Sequence, residues 1–230
     1  MNMSAANITA IGSLDGAGQN GGDNNVVYQI VGQPLGVFYL PHCKGLVKNE
    51  NGSYSYDIED LDHNGKVDLS DGGDRYIAGQ ATPKVILGSN ISFRYKNYYV
   101  SIQMNGAFGH KIFNGTGLAY TSMACFPDYN VFKDAPKKNI IDQRVSDYWL
   151  EKGDYLNFEH LTIGYNVPLR SKLIRSLRVS CNISNIGTIT GYKGLTPMIN
   201  SYVVNSTMGI DDKRNYPLYR TYSLGLSVQF

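Results

Sequence analysis

Tyr219-Arg220-Thr221-Tyr222-Ser223-Leu224-Gly225-Leu226-Ser227-Val228-Gln229-Phe230 alternates with a period of two up to a terminal aromatic. A strand turns successive side chains to opposite faces. Tyr222, Leu224, Leu226, Val228 and Phe230 therefore share one face, and Thr221, Ser223, Gly225, Ser227 and Gln229 the other. The reading is a strand oily on one side and wet on the other. The rest of the chain decides whether the oil meets a second sheet or lipid.

The same pattern recurs upstream. Leu87, Ile91, Phe93 and Tyr95 oppose Gly88, Asn90, Ser92 and Arg94. After a tight Lys96-Asn97 connection, Tyr98, Val100, Ile102 and Met104 oppose Tyr99, Ser101, Gln103 and Asn105, which predicts a hairpin. Leu161, Ile163, Tyr165 and Val167 alternate with Thr162, Gly164 and Asn166, and Leu177, Val179, Cys181 and Ile183 with Arg178, Ser180, Asn182 and Ser184. Leu156 and Phe158 fall out of phase with Leu161 and Ile163. A bulge near Glu159-His160 explains the change; so does an end packed against other protein.

Connections after Val85 run short, long, short, long. Outer-membrane barrels have short periplasmic turns and long outer loops, an alternation that a soluble sandwich has no reason to obey. The expected fold is all-β: an antiparallel transmembrane β-barrel, with Phe230 and the short turns on the periplasmic side. Arg94, Gln103, Asn105 and Arg178 fall on the wet face and are expected to line the lumen.

Composition agrees. No apolar run is long enough for a membrane-spanning helix, and a net charge of +2 gives no argument for nucleic acid. The 18 tyrosines suit interface girdles and equally sugar-binding surfaces. Cys43, Cys125 and Cys181 have no metal-ligand spacing and predict no disulfide framework. Met1 to Ala6 has neither a charged nor an apolar signal region, so the expectation is a fragment without its own signal peptide. The expected organisation is a flexible Gly/Asn-rich segment at 1–25, barrel strands plus an acidic outer loop at 26–84, and C-terminal barrel strands with long outer loops at 85–230.

Asp60-Leu61-Asp62-His63-Asn64-Gly65-Lys66-Val67-Asp68-Leu69-Ser70-Asp71 is the sharpest local motif. Oxygen side chains stand at places one, three, five, nine and twelve, with Gly at the sixth and the Lys66 carbonyl at the seventh. This spacing wraps Ca²⁺, because hard oxygens converge around a turn that glycine permits. Asp60, Asp62, Asn64, Lys66, Asp68 and Asp71 are the candidate ligands. Asp at the last place in lieu of a bidentate Glu lowers the expected affinity, so the ion reads as a structural brace. A solvated acidic turn is the alternative.

Catalysis finds little support. His42, His63, His110 and His160 stand in unrelated contexts, and Cys125 lies in a long loop. Gly106 to Gly109 and Gly115-Thr116-Gly117 read as loop glycines with no helix after a strand, and Asp211-Asp212 as a solvated loop. No enzyme is expected.

Several segments, in order, carry a family resemblance: Val31-Gly32-Gln33-Pro34-Leu35-Gly36 with Phe38-Tyr39, the Asp60 to Asp71 loop, Gly79-Gln80-Ala81-Thr82-Pro83-Lys84, Val145-Ser146-Asp147-Tyr148-Trp149-Leu150-Glu151, Asp154 to Phe158, Leu161 to Pro168, Tyr216-Pro217, Arg220 to Gly225 and the final Phe230. Together they resemble the C-terminal part of SusC/RagA-type TonB-linked outer-membrane transporters, over nearly all of the chain after Val26. The resemblance implies a share of a roughly 22-stranded barrel, a SusD-like surface lipoprotein as lid, TonB acting through a segment of the parent protein, and oligosaccharide or peptide as cargo. It also implies that Phe230 serves as the barrel-assembly signal. Within it, Tyr129, Trp149, Tyr192 and Tyr202 are candidates for stacking on cargo, the alternative being that they pack the loops together. The competing function is a soluble calcium-braced β-sandwich that binds carbohydrate.

Overall fold

The computed structural model describes residues 8–13, 25–70, 72–127, 129–170, 173–199, 208–213 and 216–230. The strands in chain order are β1 (Ile8–Ser13), β2 (Asn25–Ile30), β3 (Val37–Leu40), β4 (Cys43–Lys48), β5 (Tyr54–Ile58), β6 (Tyr76–Gln80), β7 (Val85–Tyr95), β8 (Tyr98–Phe108), β9 (Lys111–Asn114), β10 (Leu150–Lys152), β11 (Tyr155–Val167), β12 (Ser176–Thr190), β13 (Ile210–Asp211) and β14 (Thr221–Gln229). Two short helices, α1 (Gly115–Thr121) and α2 (Ala135–Lys138), follow β9. Among the described residues no helix is long and apolar enough to cross a membrane.

The chain divides into two compact units. The first comprises Met1–Pro83, Gly109–Gly153 and Tyr192–Tyr216; the second comprises Lys84–Phe108, Asp154–Gly191 and Pro217–Phe230. They are built on opposite physical plans.

The first unit has an ordinary core. Val26, Phe38, Leu40, Phe113, Leu118, Ile140, Trp149 and Ile210 form one buried cluster, and Tyr28, Ile30, Val37 and Tyr39 a second. Side chains of this size contribute about 1.5–3 kcal/mol each on burial. The sheets are small: β1-β2-β3-β6, β10-β9-β13 and β4-β5. Three expectations are corrected here. Residues 8–13, expected to be flexible, form β1 against β2, while 1–7 and 14–24 lie outside the described residues. Of residues 26–84, expected to supply barrel strands and an acidic outer loop, all but Lys84 instead belong to this unit. β3 spans four residues, all of them buried, so it can neither span a bilayer nor show two different faces. Residues 109–153, expected to be irregular, contain β9, β10 and both helices.

The second unit is a single antiparallel sheet in the order β14-β12-β11-β8-β7. Its register builds continuous rows across all five strands. Ile91, Ile102, Leu161, Ile183 and Tyr222 stand side by side, then Phe93, Val100, Ile163, Cys181 and Leu224, then Tyr95, Tyr98, Tyr165, Val179 and Leu226. The alternate rows are polar: Asn90, Gln103, His160, Ser184 and Thr221, then Ser92, Ser101, Thr162, Asn182 and Ser223. The phase change before Leu161 is a bulge. Phe158 opposes Met104 and His160 opposes Gln103, so Glu159 is the extra residue. Opposite it, β12 inserts Asn185, at φ 53°, and Ile186. The bulge returns Leu156 and Phe158 to the apolar face.

Among the described residues, no core covers the outer strands of this apolar face. Leu224 is 85% exposed, Leu226 69% and Phe93 66%. The sandwich alternative required these side chains to be buried between two sheets.

Candidate functional site

The polar face of the sheet is laced by side-chain hydrogen bonds. Ser101 Oγ donates to Asn90 Oδ1 at 3.0 Å, Thr162 Oγ1 to Asn182 Oδ1 at 2.9 Å, and Thr188 Oγ1 to Asn157 Oδ1 at 3.0 Å. Asn105 Nδ2 donates to Glu159 Oε2 at 3.1 Å across the bulge. Arg94, Gln103, Asn105 and Arg178 all share this face by register. The Tyr99 ring lies directly over Gly164, where a Cβ would collide with it. Arg178 stacks on the same ring, 5.4 Å from its centroid, and its Nε donates to Asn166 Oδ1 at 2.9 Å. A bare glycine beside an aromatic lets the ring restore the packing that the missing side chain omits.

The register also fixes the ends. Lys96-Asn97, the β11–β12 connection and Phe230 all lie at the end marked by Tyr95, Tyr98, Tyr165 and Val228. The long segments 109–153 and 192–216 leave from the other end and belong to the first unit.

The acidic loop is held in shape by its own carboxylates. Asp60 Oδ2 accepts the Gly65 N–H at 2.7 Å, Asp62 Oδ1 the Asn64 N–H at 3.1 Å, and Asn64 Oδ1 the Lys66 N–H at 2.8 Å. His63 and Gly65 adopt positive φ, 58° and 83°, which make the sharp turn. The buried Asp74 is the anchor. Its Oδ1 accepts from Leu61 and Asp62, and its Oδ2 from Asp68 at 2.8 Å. One oxygen each from Asp60, Asp62 and Asp74 lies within 4.8 Å of the others. Three hard, anionic oxygens so close together fit a hard divalent cation. Asp68 stands apart from this group and accepts from the Ser70 N–H at 2.9 Å, which holds its carboxyl below the usual range. Asp71 lies outside the described residues. Asp74 escaped the sequence reading because it falls beyond the twelve-place motif.

The four candidate aromatics separate. Trp149 is in the core of the first unit and its Nε1 donates to Tyr56 at 2.9 Å. Tyr192 is buried, and its hydroxyl donates to Asp211 Oδ2 at 2.8 Å. Burial, then the Asp211 charge, pushes the Tyr192 hydroxyl well above its usual range. Neither ring is open to cargo in this structure; both pack. Tyr129 is exposed, and Tyr202 lies outside the described residues.

Two carboxylates to which the sequence reading gave no structural role organise this unit. Asp147 accepts from His42 Nδ1 and the Tyr76 hydroxyl, both at 2.6 Å, and from the Cys43 N–H at 2.7 Å. Asp211, expected in a solvated loop, is buried and accepts from Thr116 Oγ1 at 2.8 Å. Its neighbour Asp212 is buried too. A helix does follow a strand at Gly115, against expectation. Its seven residues start under the Asn114 cap, which accepts the Gly117 N–H at 2.6 Å, and Gly117 packs on Trp149. That seal leaves no phosphate cradle.

No protein-family model matches the chain. It is 27% identical over 228 residues to TonB-dependent receptor P3 of Formosa agariphila, covering 86% of this chain and 22% of the relative. It is 26% identical over 224 residues to TonB-dependent receptor SusC of Bacteroides thetaiotaomicron, covering 91% of this chain and 21% of the relative. The chain thus spans about a fifth of the length of these curated relatives. Among solved structures, the RagAB peptide importer in its open-open state superposes with TM-score 0.68 at 18% identity, covering 90% of this chain and 24% of that one. The closed-closed state gives 0.65 at 16%, covering 89% and 24%. By these matches the chain is similar, over most of its own length, to the TonB-dependent receptors P3 and SusC.

Proposed function

We propose that the chain forms part of the wall and outer loops of an outer-membrane, TonB-dependent importer of nutrients. The observation that carries this reading is the uncovered apolar face: Ile91, Phe93, Ile163, Tyr222, Leu224 and Leu226 stand exposed on a sheet whose other face is mostly polar. In water such rows would forfeit about 1.5–3 kcal/mol for each large side chain left unburied; against hydrocarbon they cost nothing. Strand length agrees, since eleven residues tilted by about 45° cover roughly 25 Å.

In this reading β7 and β14, the outer strands of the sheet, pair with further strands of the parent barrel. The short connections and Phe230 face the periplasm, with Phe230 as the assembly signal. The long outer loops face the cell exterior, where they help meet a SusD-like lipoprotein and oligosaccharide or peptide cargo. Arg94, Gln103, Asn105 and Arg178 line the lumen, and TonB acts through another part of the parent. Ca²⁺ held by Asp60 and Asp62, with Asp74 replacing Asp71 or joining it, would brace the acidic loop by neutralising the clustered carboxylates. The test is fractionation of the full-length protein: it should stay with membranes through alkaline carbonate and leave only with detergent. Recovery in the aqueous fraction would refute the reading.

A further inference from the structure

The end of the sheet that carries the short connections is basic. Residues 92–101, 163–180 and 223–230 contain no Asp or Glu. The acidic residues of β11 and its approach, Asp154 and Glu159, lie roughly 20 Å or more along the strand from Tyr165. Lys96, Arg170 and Arg175 are exposed at this end.

Lys96 and Arg175 stand at the rim of the apolar face. Lys96 Nζ sits 5.4 Å from the centroid of the Tyr95 ring, and Tyr95 shares the apolar face with Tyr98 and Tyr165, whose rings lie 4.6 Å apart. Arg175 precedes Ser176 on the parity of Leu177 and Val179, and its N–H donates to the Gln229 carbonyl at 2.7 Å. Arg170 lies in the connection between β11 and β12. Among the described residues, the other two cations of this end, Arg94 and Arg178, belong to the polar face.

Cations beside a tyrosine girdle, on the edge of a hydrocarbon-facing surface, are complementary to the phosphodiesters of a lipid headgroup layer. We propose that Lys96, Arg170 and Arg175 form a rim that binds anionic phospholipid in the inner leaflet. The proposal rests on reading the sheet as membrane wall.

The test uses the full-length transporter in nanodiscs of phosphatidylethanolamine with a minority of phosphatidylglycerol, reading the retained lipids by native mass spectrometry. The wild-type protein should hold phosphatidylglycerol above its bulk fraction, and raised salt should reduce that enrichment. Each cation near an anionic surface is worth about a five-fold change in partitioning. A Lys96→Gln, Arg170→Gln, Arg175→Gln variant should therefore fall to the bulk ratio, while Arg94→Gln with Arg178→Gln keeps the enrichment. A wild-type shell at the bulk ratio, or one indifferent to salt, overturns the rim while leaving the membrane reading intact. Loss of enrichment only in the Arg94 and Arg178 variant overturns it in favour of an enclosed protein partner. Failure of the wild-type protein to enter nanodiscs at all overturns the membrane reading itself.

Discussion

Ile102 and Leu161 stand directly opposite one another on β8 and β11, and their row continues without a polar interruption from Ile91 to Tyr222. One residue along β8, Ser101 opposes Thr162 in an equally unbroken polar row. A one-residue shift in sequence therefore moves a side chain between the apolar and the polar face.

That relationship sets the first prediction. Ile102→Lys and Leu226→Lys should each cost about 2–4 kcal/mol if they lie near the bilayer midplane. Outer-membrane levels of the full-length protein should drop sharply for both. Ser101→Lys and Ser227→Lys should leave those levels close to wild type.

Asp74 governs the acidic loop. Asp74→Ala strands the N–H groups of Leu61, Asp62 and Asp68 and should cost about 3 kcal/mol of local stability. Hydrogen exchange across residues 60–75 should accelerate, with the rest of the first unit protected. If calcium fills the cluster, chelation should speed the same amides, and Tb³⁺ luminescence should be lost in Asp60→Asn. The Asp68 carboxyl is held below its ordinary value of 3.8 by the Ser70 N–H. Its contribution is then complete above that value and vanishes as pH falls through the lower folded one. Exchange rates corrected for intrinsic pH dependence should stay flat from pH 7 to about 5 and rise only in stronger acid.

Asp147 ties β4 and β6 to the turn before β10. Burial, reinforced by the Asp147 carboxylate, raises the Tyr76 hydroxyl above its usual range, so at neutral pH it remains a donor. Tyr76→Phe removes one charge-assisted bond and should cost about 1.5–3 kcal/mol. Asp147→Ala should cost more, because the Cys43 N–H and Tyr76 hydroxyl both lose their acceptor. In the double variant the losses should be clearly less than additive; thermal melts of the purified protein would reveal strict additivity if the contact carries no energy.

Gly164 exists to admit the Tyr99 ring. Gly164→Ala drives a methyl into it and should cost about 1–3 kcal/mol by overpacking. The melting temperature in detergent should fall, and Tyr99→Ser should recover part of it. Tolerance of alanine alone would mean that the ring does not rest there.

The second unit was legible in the sequence because each strand states its two faces locally. Even the bulge left a trace, as Leu156 and Phe158 lost phase before Leu161. The first unit was legible only in part. Val26 to Val31 and Val37 to Leu40 are apolar enough to read as short strands, but β3 is buried on every side, so its residues carry no period that says what it packs against. The helix at Gly115 begins with two poor helix formers, and its support comes from the Asn114 cap and from Trp149, 32 residues beyond Gly117. Asp211 reads as solvated until Thr116, 95 residues away, is seen to donate to it. Trp149 and Tyr192 illustrate the same point: an aromatic in a loop declares its size, not its neighbours. In the acidic motif, spacing identified Asp60 and Asp62, whereas the anchor Asp74 is chosen by the backbone amides it collects.

The most direct measurement is site-directed spin labelling along β14. Single cysteines would be placed from 221 to 228 in a full-length protein with Cys43, Cys125 and Cys181 replaced by serine, reconstituted in vesicles. Collision with oxygen, which concentrates in hydrocarbon, should peak at 222, 224, 226 and 228, and collision with a water-soluble nickel reagent at 221, 223, 225 and 227. Shielding of the even-numbered positions from both reagents would contradict the account, because it would place protein, not lipid, against Leu224 and Leu226.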